Sequence, residues 1–193
     1  MNDYIKEKID LHRKMLDSLD VAAIGKIANV IIDCYANDGK LLIFGNGGSA
    51  ADAMHFAAEL EGQLSSRDKG RKPLSALTPY NISALTAISN DYDYDSSFER
   101  FVGANAKEGD VVIGISTSGN SKNVIRAVEE GKRLGATTIG LTGGDGGQLG
   151  EIADLILNIH ASNVSIIQEG HLVCYHRIAA LVVKELFGYD ALV

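Results

Sequence analysis

The sequence predicts a three-layer α/β/α sandwich around a five-stranded parallel sheet, and three observations carry that expectation. Short apolar runs recur at 40–44, 74–77, 111–115, 137–142 and 154–159. Segments with helical spacing of apolar residues separate them, and loops rich in glycine and serine follow the runs. Apolar strands alternating with helices read as parallel strands covered on both faces. Right-handed crossovers then place helices on both sides of the sheet. Ligands of such sheets sit beyond the carboxyl ends of the strands.

Taken in order, residues 4–18 carry Ile5, Ile9, Leu11, Met15 and Leu16 at helical spacing, and 21–37 continue with a second helix. Asp38-Gly39 makes a turn before the first strand. GNGGSAADA follows it and opens a third helix to about Leu60. A polar stretch, SSRDKGRKP, leads to the strand Leu74–Leu77, and 81–106 is helical with a break near Ser89–Asp93. Strand 111–115 runs through STSGNS into a helix at 121–134. Strand 137–142 runs through GGDGGQ into a short helix, and strand 154–159 precedes a long helix at 164–187. That last helix is apolar on more than one face, which predicts burial on several sides and a subunit interface. The whole chain, 1–193, reads as a single domain, with 1–38 as an N-terminal helical extension.

Lys+Arg number 18 against 25 Asp+Glu, a net charge of −7, which argues against intrinsic nucleic-acid affinity. No apolar run approaches the roughly 18 residues of a membrane span, and the charged first twenty residues lack a secretion signal's apolar stretch. Cys34 and Cys174 sit in apolar helical contexts without metal-type spacing, so reduced core thiols in a cytoplasmic protein are expected.

The loops carry the chemistry. Ser116, Thr117, Ser118 and Ser121 crowd four hydroxyls between a strand and a helix start. Free N–H groups there, with the positive end of the helix dipole, suit a phosphate. Ser121 or Asn120 can cap the helix. Gly45-Asn46-Gly47-Gly48-Ser49-Ala50 formally matches the dinucleotide pattern G-x-G-x-x-G/A. Against a hydride-transfer enzyme, no acidic residue ends a second strand about 20 residues later. His55 and Glu59, four apart, share a helix face, where they form either a solvated pair or a metal or acid–base site. Gln168 and His176 are eight apart, about 12 Å along a straight helix. Either Gln168 precedes regular helix, or ligands arrive from different subunits. Asn90-Asp91 at the helical break is equally a plain turn or a pair of sugar contacts.

Together these segments resemble the sugar-isomerase (SIS) family, most closely its phosphoheptose isomerase branch. FGNGGSAADAMHFAAELEG at 44–62, SND at 89–91, GISTSGNSKNV at 114–124 and QEGHLVCYH at 168–176 carry the likeness. It implies conversion of D-sedoheptulose 7-phosphate to D-glycero-D-manno-heptose 7-phosphate through an enediolate, as the first step toward activated heptose for lipopolysaccharide, capsule or other surface glycans. Asn46, Gly47, Gly48, Asn90, Asp91, Ser116, Thr117, Ser118, Ser121 and Gln168 are implied substrate contacts. Glu59 and His176 are the implied acid–base residues, and His55, Glu59, Gln168 and His176 the implied zinc ligands. A homotetramer with shared active sites is implied, the acid–base pair being presented by neighbouring protomers and 1–38 serving assembly. The competing reading is a non-catalytic SIS protein that binds a replication-initiator protein or senses sugar phosphate. Initiator-binding relatives lack the acid–base constellation, so the presence of both Glu59 and His176 favours the enzyme.

Overall fold

The computed structural model describes residues 1–190. Helices α1 (Asn2–Asp17) and α2 (Val21–Ala36) precede β1 (Leu41–Gly45), α3 (Gly48–Glu61) and the two-residue strand β2 (Ala76–Leu77). Then come α4 (Ile82–Asp91), α5 (Ser97–Asn105), β3 (Val111–Ser116), α6 (Lys122–Arg133), β4 (Thr137–Gly143), α7 (Gly147–Ile152), β5 (Leu155–Ile159) and α8 (Val164–Phe187). The five strands form one parallel sheet, as the apolar runs predicted, and the structure adds its order, β2-β1-β3-β4-β5.

Both faces of the sheet are covered. Leu41, Ile43, Val111, Ile113, Ile139 and Leu157 pack against α1, α2, α3 and α8. Leu42, Phe44 and Val112 alternate to the other face, against Phe98 and Val102 of α5, Val124 and Val128 of α6, and Leu149 of α7. Complete burial of an aliphatic side chain contributes about 1.5–3 kcal/mol, so this double coverage is what holds the strands flat against one another. Asp20 caps α2 by accepting from the Ala23 amide at 2.9 Å, and Asn163 caps α8 by accepting from Ser165 at 2.9 Å. Such caps stabilise a helix by roughly 1 kcal/mol.

Three details differ from the sequence reading. The second strand is shorter than Leu74–Leu77, because the Leu74 amide bonds the last turn of α3 at Leu60 O (3.1 Å) rather than a neighbouring strand. Asn90 and Asp91 lie in the final turn of α4, and the break follows at Tyr92–Asp93, where Asp93 accepts from the Ser96 amide to start a short 3-10 turn. Most apolar residues of α8 are buried within the chain itself, because α8 packs against α1, α2 and α3. Leu172, Leu181 and Val164 remain exposed on it. Among the described residues no helix is long and apolar enough to cross a membrane.

Candidate active site

The strand order reverses between β1 and β3: β1 leads toward β2, β3 toward β4. Loops leaving two such neighbours diverge and open a crevice at the carboxyl edge. Gly45, paired with Ile115, closes β1 where a Cβ would crowd Ser49 and the Ile115 carbonyl, so the first loop turns tightly into α3. The Tyr80 hydroxyl fastens this corner, 2.9 Å from both the amide and the carbonyl of Gly45. Asn46 exchanges amide hydrogen bonds with buried Asn123 at 2.8 and 2.9 Å, which ties the β1 loop to α6. The Tyr94 hydroxyl donates to the same Asn46 oxygen at 2.7 Å. Gly47 and Gly48 lie exposed beyond it.

The second loop is the candidate anion cradle. Ser116 is buried at the end of β3, Thr117 half-buried and Ser118 exposed. Gly119 closes the turn onto Ser116 O (2.9 Å) at φ 65°, a left-handed conformation that favours glycine. Ser121 occupies the N-cap position of α6, but its hydroxyl faces Ser116 Oγ at 3.0 Å and caps nothing. The expected capping therefore does not occur. The amides of the first turn of α6 and two paired hydroxyls share one corner instead, an arrangement suited to an oxyanion.

The third component is a carboxylate–imidazole cluster. Parallel packing of α3 and α8 aligns His55 and Glu59 with His176. His55 Nε2 lies 2.9 Å from Glu59 Oε1, and His176 Nε2 lies 3.8 Å from the same oxygen. One ligand atom from each of the three lies within 4.8 Å of the others. The His176 Nδ1 donates to Leu172 O at 2.9 Å, one helical turn back, which leaves Nε2 facing Glu59. Glu59 and His176 thus meet within one chain, which corrects the expectation that neighbouring protomers present them. Two imidazole nitrogens and a carboxylate oxygen in this space fit a divalent cation of borderline softness.

Surrounding groups hold this cluster. Arg71 donates to Glu59 O and Leu60 O, both at 2.7 Å, and so closes the carboxyl end of α3. Its partner Asp68, 2.9 Å away, is fully buried. Burial alone would raise the Asp68 carboxyl, but the Ser65 and Leu64 amides and Arg71 outweigh it and hold it below the usual carboxylate range. On the other side the Tyr175 hydroxyl lies 2.9 Å from His55 Nδ1. Asp52, buried one turn before His55, is pushed up to about 6 by burial, with His55 and Tyr175 pulling the other way.

Gln168 lies within regular α8, so the alternative in which it precedes the helix does not hold. Its amide packs against Gly48, at the start of α3. That is two turns, about 10 Å of axial rise, from His55. Asn90 and Asp91 are exposed on α4 and bond each other at 2.8 Å. Asn123, Tyr94, Asp52, Tyr175 and Arg71 were not singled out from the sequence. A faint signal existed for Asn123 alone, a polar residue on the inward face of α6.

Fold and candidate site together describe an α/β domain with a hydroxyl-lined loop after β3 and a carboxylate–imidazole cluster between α3 and α8. A family model described as SIS domain matches residues 3–143. The chain belongs to the SIS-domain family. It is 46% identical over 191 residues to the phosphoheptose isomerase of Geotalea uraniireducens, covering 97% of this chain and all of that one. It is 51% identical to the probable phosphoheptose isomerase of Thermoplasma acidophilum over 86% of this chain and 90% of that one. The solved phosphoheptose isomerase of Neisseria gonorrhoeae superposes with a TM-score of 0.84 at 39% identity, covering 94% of this chain and 95% of that one. Within the SIS family, this chain is a member of the phosphoheptose isomerase branch.

Proposed function

We propose that this chain is an aldose–ketose isomerase that converts D-sedoheptulose 7-phosphate to D-glycero-D-manno-heptose 7-phosphate. The observation that carries the reading is the Glu59–His176 pair, 3.8 Å apart, in a chain whose neighbouring strand ends form a hydroxyl-lined cradle. Its relatives' names supply the heptose.

Isomerisation moves one proton between neighbouring carbons and one between their oxygens. Glu59, the base, takes a proton from C1 of the open-chain ketose, and the C1–H electrons form a C1–C2 double bond. His176, protonated at Nε2 when no cation occupies that nitrogen, gives its proton to the C2 oxygen, and an enediol results. Return of the carbon proton from Glu59 to C2, with loss of the O1 proton to His176, yields the aldose. Ser116, Thr117, Ser118, Ser121 and the amides of the α6 start hold the phosphate, which fixes the distant end of the sugar. Asn46, Gly47, Gly48 and Gln168 line the path between cradle and acid–base pair, and Asn90 and Asp91 complete the sugar contacts from α4.

The donor set fits zinc, held by His55, Glu59 and His176 of one chain. Bound zinc supplies Lewis-acid stabilisation of the developing enediolate oxygen. Gln168, packed against Gly48, serves as the implied fourth ligand only from a neighbouring copy.

The single domain spanning 1–193 assembles as a homotetramer, with 1–38 contributing to the contacts. In support, Tyr4, Ile5, Ile9 and Leu16 of α1 are exposed, α4 buries none of its residues, and Leu172 and Leu181 of α8 face outward. Two free, buried thiols, Cys34 and Cys174, support a reducing, cytoplasmic setting. The product feeds activated-heptose synthesis for surface glycans, lipopolysaccharide or capsule among them.

The test is incubation of purified protein with sedoheptulose 7-phosphate, followed by NMR, with a chelator-treated sample in parallel. Appearance of the aldose signals is the expected result, with a slower rate after chelation. An unchanged ketose spectrum, together with tight binding of the sugar phosphate, would favour the non-catalytic sensor.

A further inference from the structure

His55 and His176 are oriented by different kinds of partner. The His176 Nδ1 has a backbone carbonyl at 2.9 Å, which can only accept. The His55 Nδ1 has the Tyr175 hydroxyl at 2.9 Å, which can give or receive a hydrogen. Tyr175 is fully buried and stacked on Phe56, with ring centroids 5.4 Å apart, so its oxygen has a fixed position. Behind it lies Asp52, within longer-range hydrogen-bonding reach of the hydroxyl, and its buried Oδ2 has no partner at normal hydrogen-bond distance. A buried, unpartnered carboxylate oxygen is costly and calls for a physical reason.

The direction of the hydrogen bonds supplies one. In the geometry seen, His55 Nε2 faces a Glu59 oxygen at 2.9 Å, and a carboxylate accepts. In the neutral ring the proton is therefore on Nε2, Nδ1 accepts, and Tyr175 donates to it. No hydrogen remains for Asp52. A cation on His55 Nε2 needs that lone pair free, which puts the ring proton on Nδ1. Tyr175 must then accept from His55, and its own hydrogen needs a new acceptor. The Asp52 carboxylate is that acceptor.

The geometry points to Tyr175 and Asp52 as positioning residues for metal uptake: a hydroxyl that reverses its hydrogen bond when a divalent cation enters the His55–Glu59–His176 cluster, and a carboxylate that receives it. This rests on the metal reading of that cluster. Neither residue touches the sugar or the ion. Outer partners of this kind orient a ligating imidazole, and their removal typically weakens metal affinity about 10–100-fold.

Tyr175→Phe tests the idea, since it keeps the ring against Phe56 and removes one oxygen. The probe is cobalt(II) or zinc alone, titrated into the full chain against a competing chelator, with nitrogen-15 NMR of the histidine rings. Wild type is expected to bind and to change His55 from the Nε2–H to the Nδ1–H tautomer. Tyr175→Phe is expected to bind 10–100-fold more weakly and to lose the protected Nδ1–H signal. Equal affinity and an equal tautomer change in Tyr175→Phe would overturn the assignment while leaving the metal site standing. A wild type that binds neither ion would overturn both. Should metal-free Tyr175→Phe melt far below wild type, Asp52→Ala, which removes the acceptor, decides by the same two readouts.

Discussion

Replacing Glu59 by Gln removes the proposed base, and with it the charge of one proposed metal ligand, while disturbing the fold little. The two side chains have nearly the same volume, and a glutamine oxygen can still accept from His55 Nε2. Arg71 grips the Glu59 carbonyl rather than its side chain, so the closing contact of α3 survives. Folding and assembly should therefore be unchanged within about 0.5 kcal/mol. The amide cannot take a carbon-bound proton, and a positioned general base contributes roughly 10²–10⁴-fold. About 3–5 kcal/mol of transition-state stabilisation should go, read as a fall in kcat with KM for the sugar phosphate close to wild type. NMR of sedoheptulose 7-phosphate turnover measures this, and a run in D2O separately reports deuterium entry at C1. Both rates should fall together. Turnover within tenfold of wild type, or deuterium exchange that persists while isomerisation stops, would refute the role of Glu59.

Ser118→Ala should leave kcat nearly intact and raise KM several-fold, equivalent to about 1 kcal/mol for one lost hydrogen bond; an unchanged KM in steady-state assays would remove Ser118 from the cradle. Arg71→Met should destabilise the fold by roughly 3–5 kcal/mol, because Asp68 would be left charged, buried and unpaired, and urea unfolding checks this. His171 is fully buried, with its ordinary value of 6.5 pushed down to about 4 by burial. The unfolded chain then binds the extra proton first, so this residue's contribution is present above pH 6.5 and lost as pH falls toward 4, by roughly 3 kcal/mol in all. Asp52, raised to about 6, acts with the opposite sign between about pH 4 and 6. His171→Phe should accordingly lose less stability on acidification than wild type in denaturant titrations at pH 7.5 and 5.

Much of the architecture was legible because buried parallel strands are predominantly apolar: β1 is so throughout, β3 up to Ser116, and β4 at Ile139–Leu141 between threonines. β2 was less so: with two paired residues it owes its length to the Leu74–Leu60 contact, which no local pattern encodes. His55–Glu59 could be read from its helical spacing. Its union with His176 could not, since it depends on α3 and α8 lying parallel. The same holds for Asn46–Asn123 and Tyr175–His55, pairs from remote parts of the chain. Ser121 illustrates the converse error. The position of the cap was correct, but its hydroxyl found a better partner in Ser116.

The cradle turn and the loop after β4 are interlocked. A Cβ on Gly119 would overlap the Gly146 carbonyl, Gly119 O accepts from Leu149, and Asn120 accepts from Gln148. The proposed anion grip is thus braced from behind, whereas Asn90 and Asp91 stand on a helix with no buried residue of its own. If the proposed contacts hold, a lineage built on this frame can alter which sugar it takes by editing the loose side, while the interlocked side permits almost no rewriting.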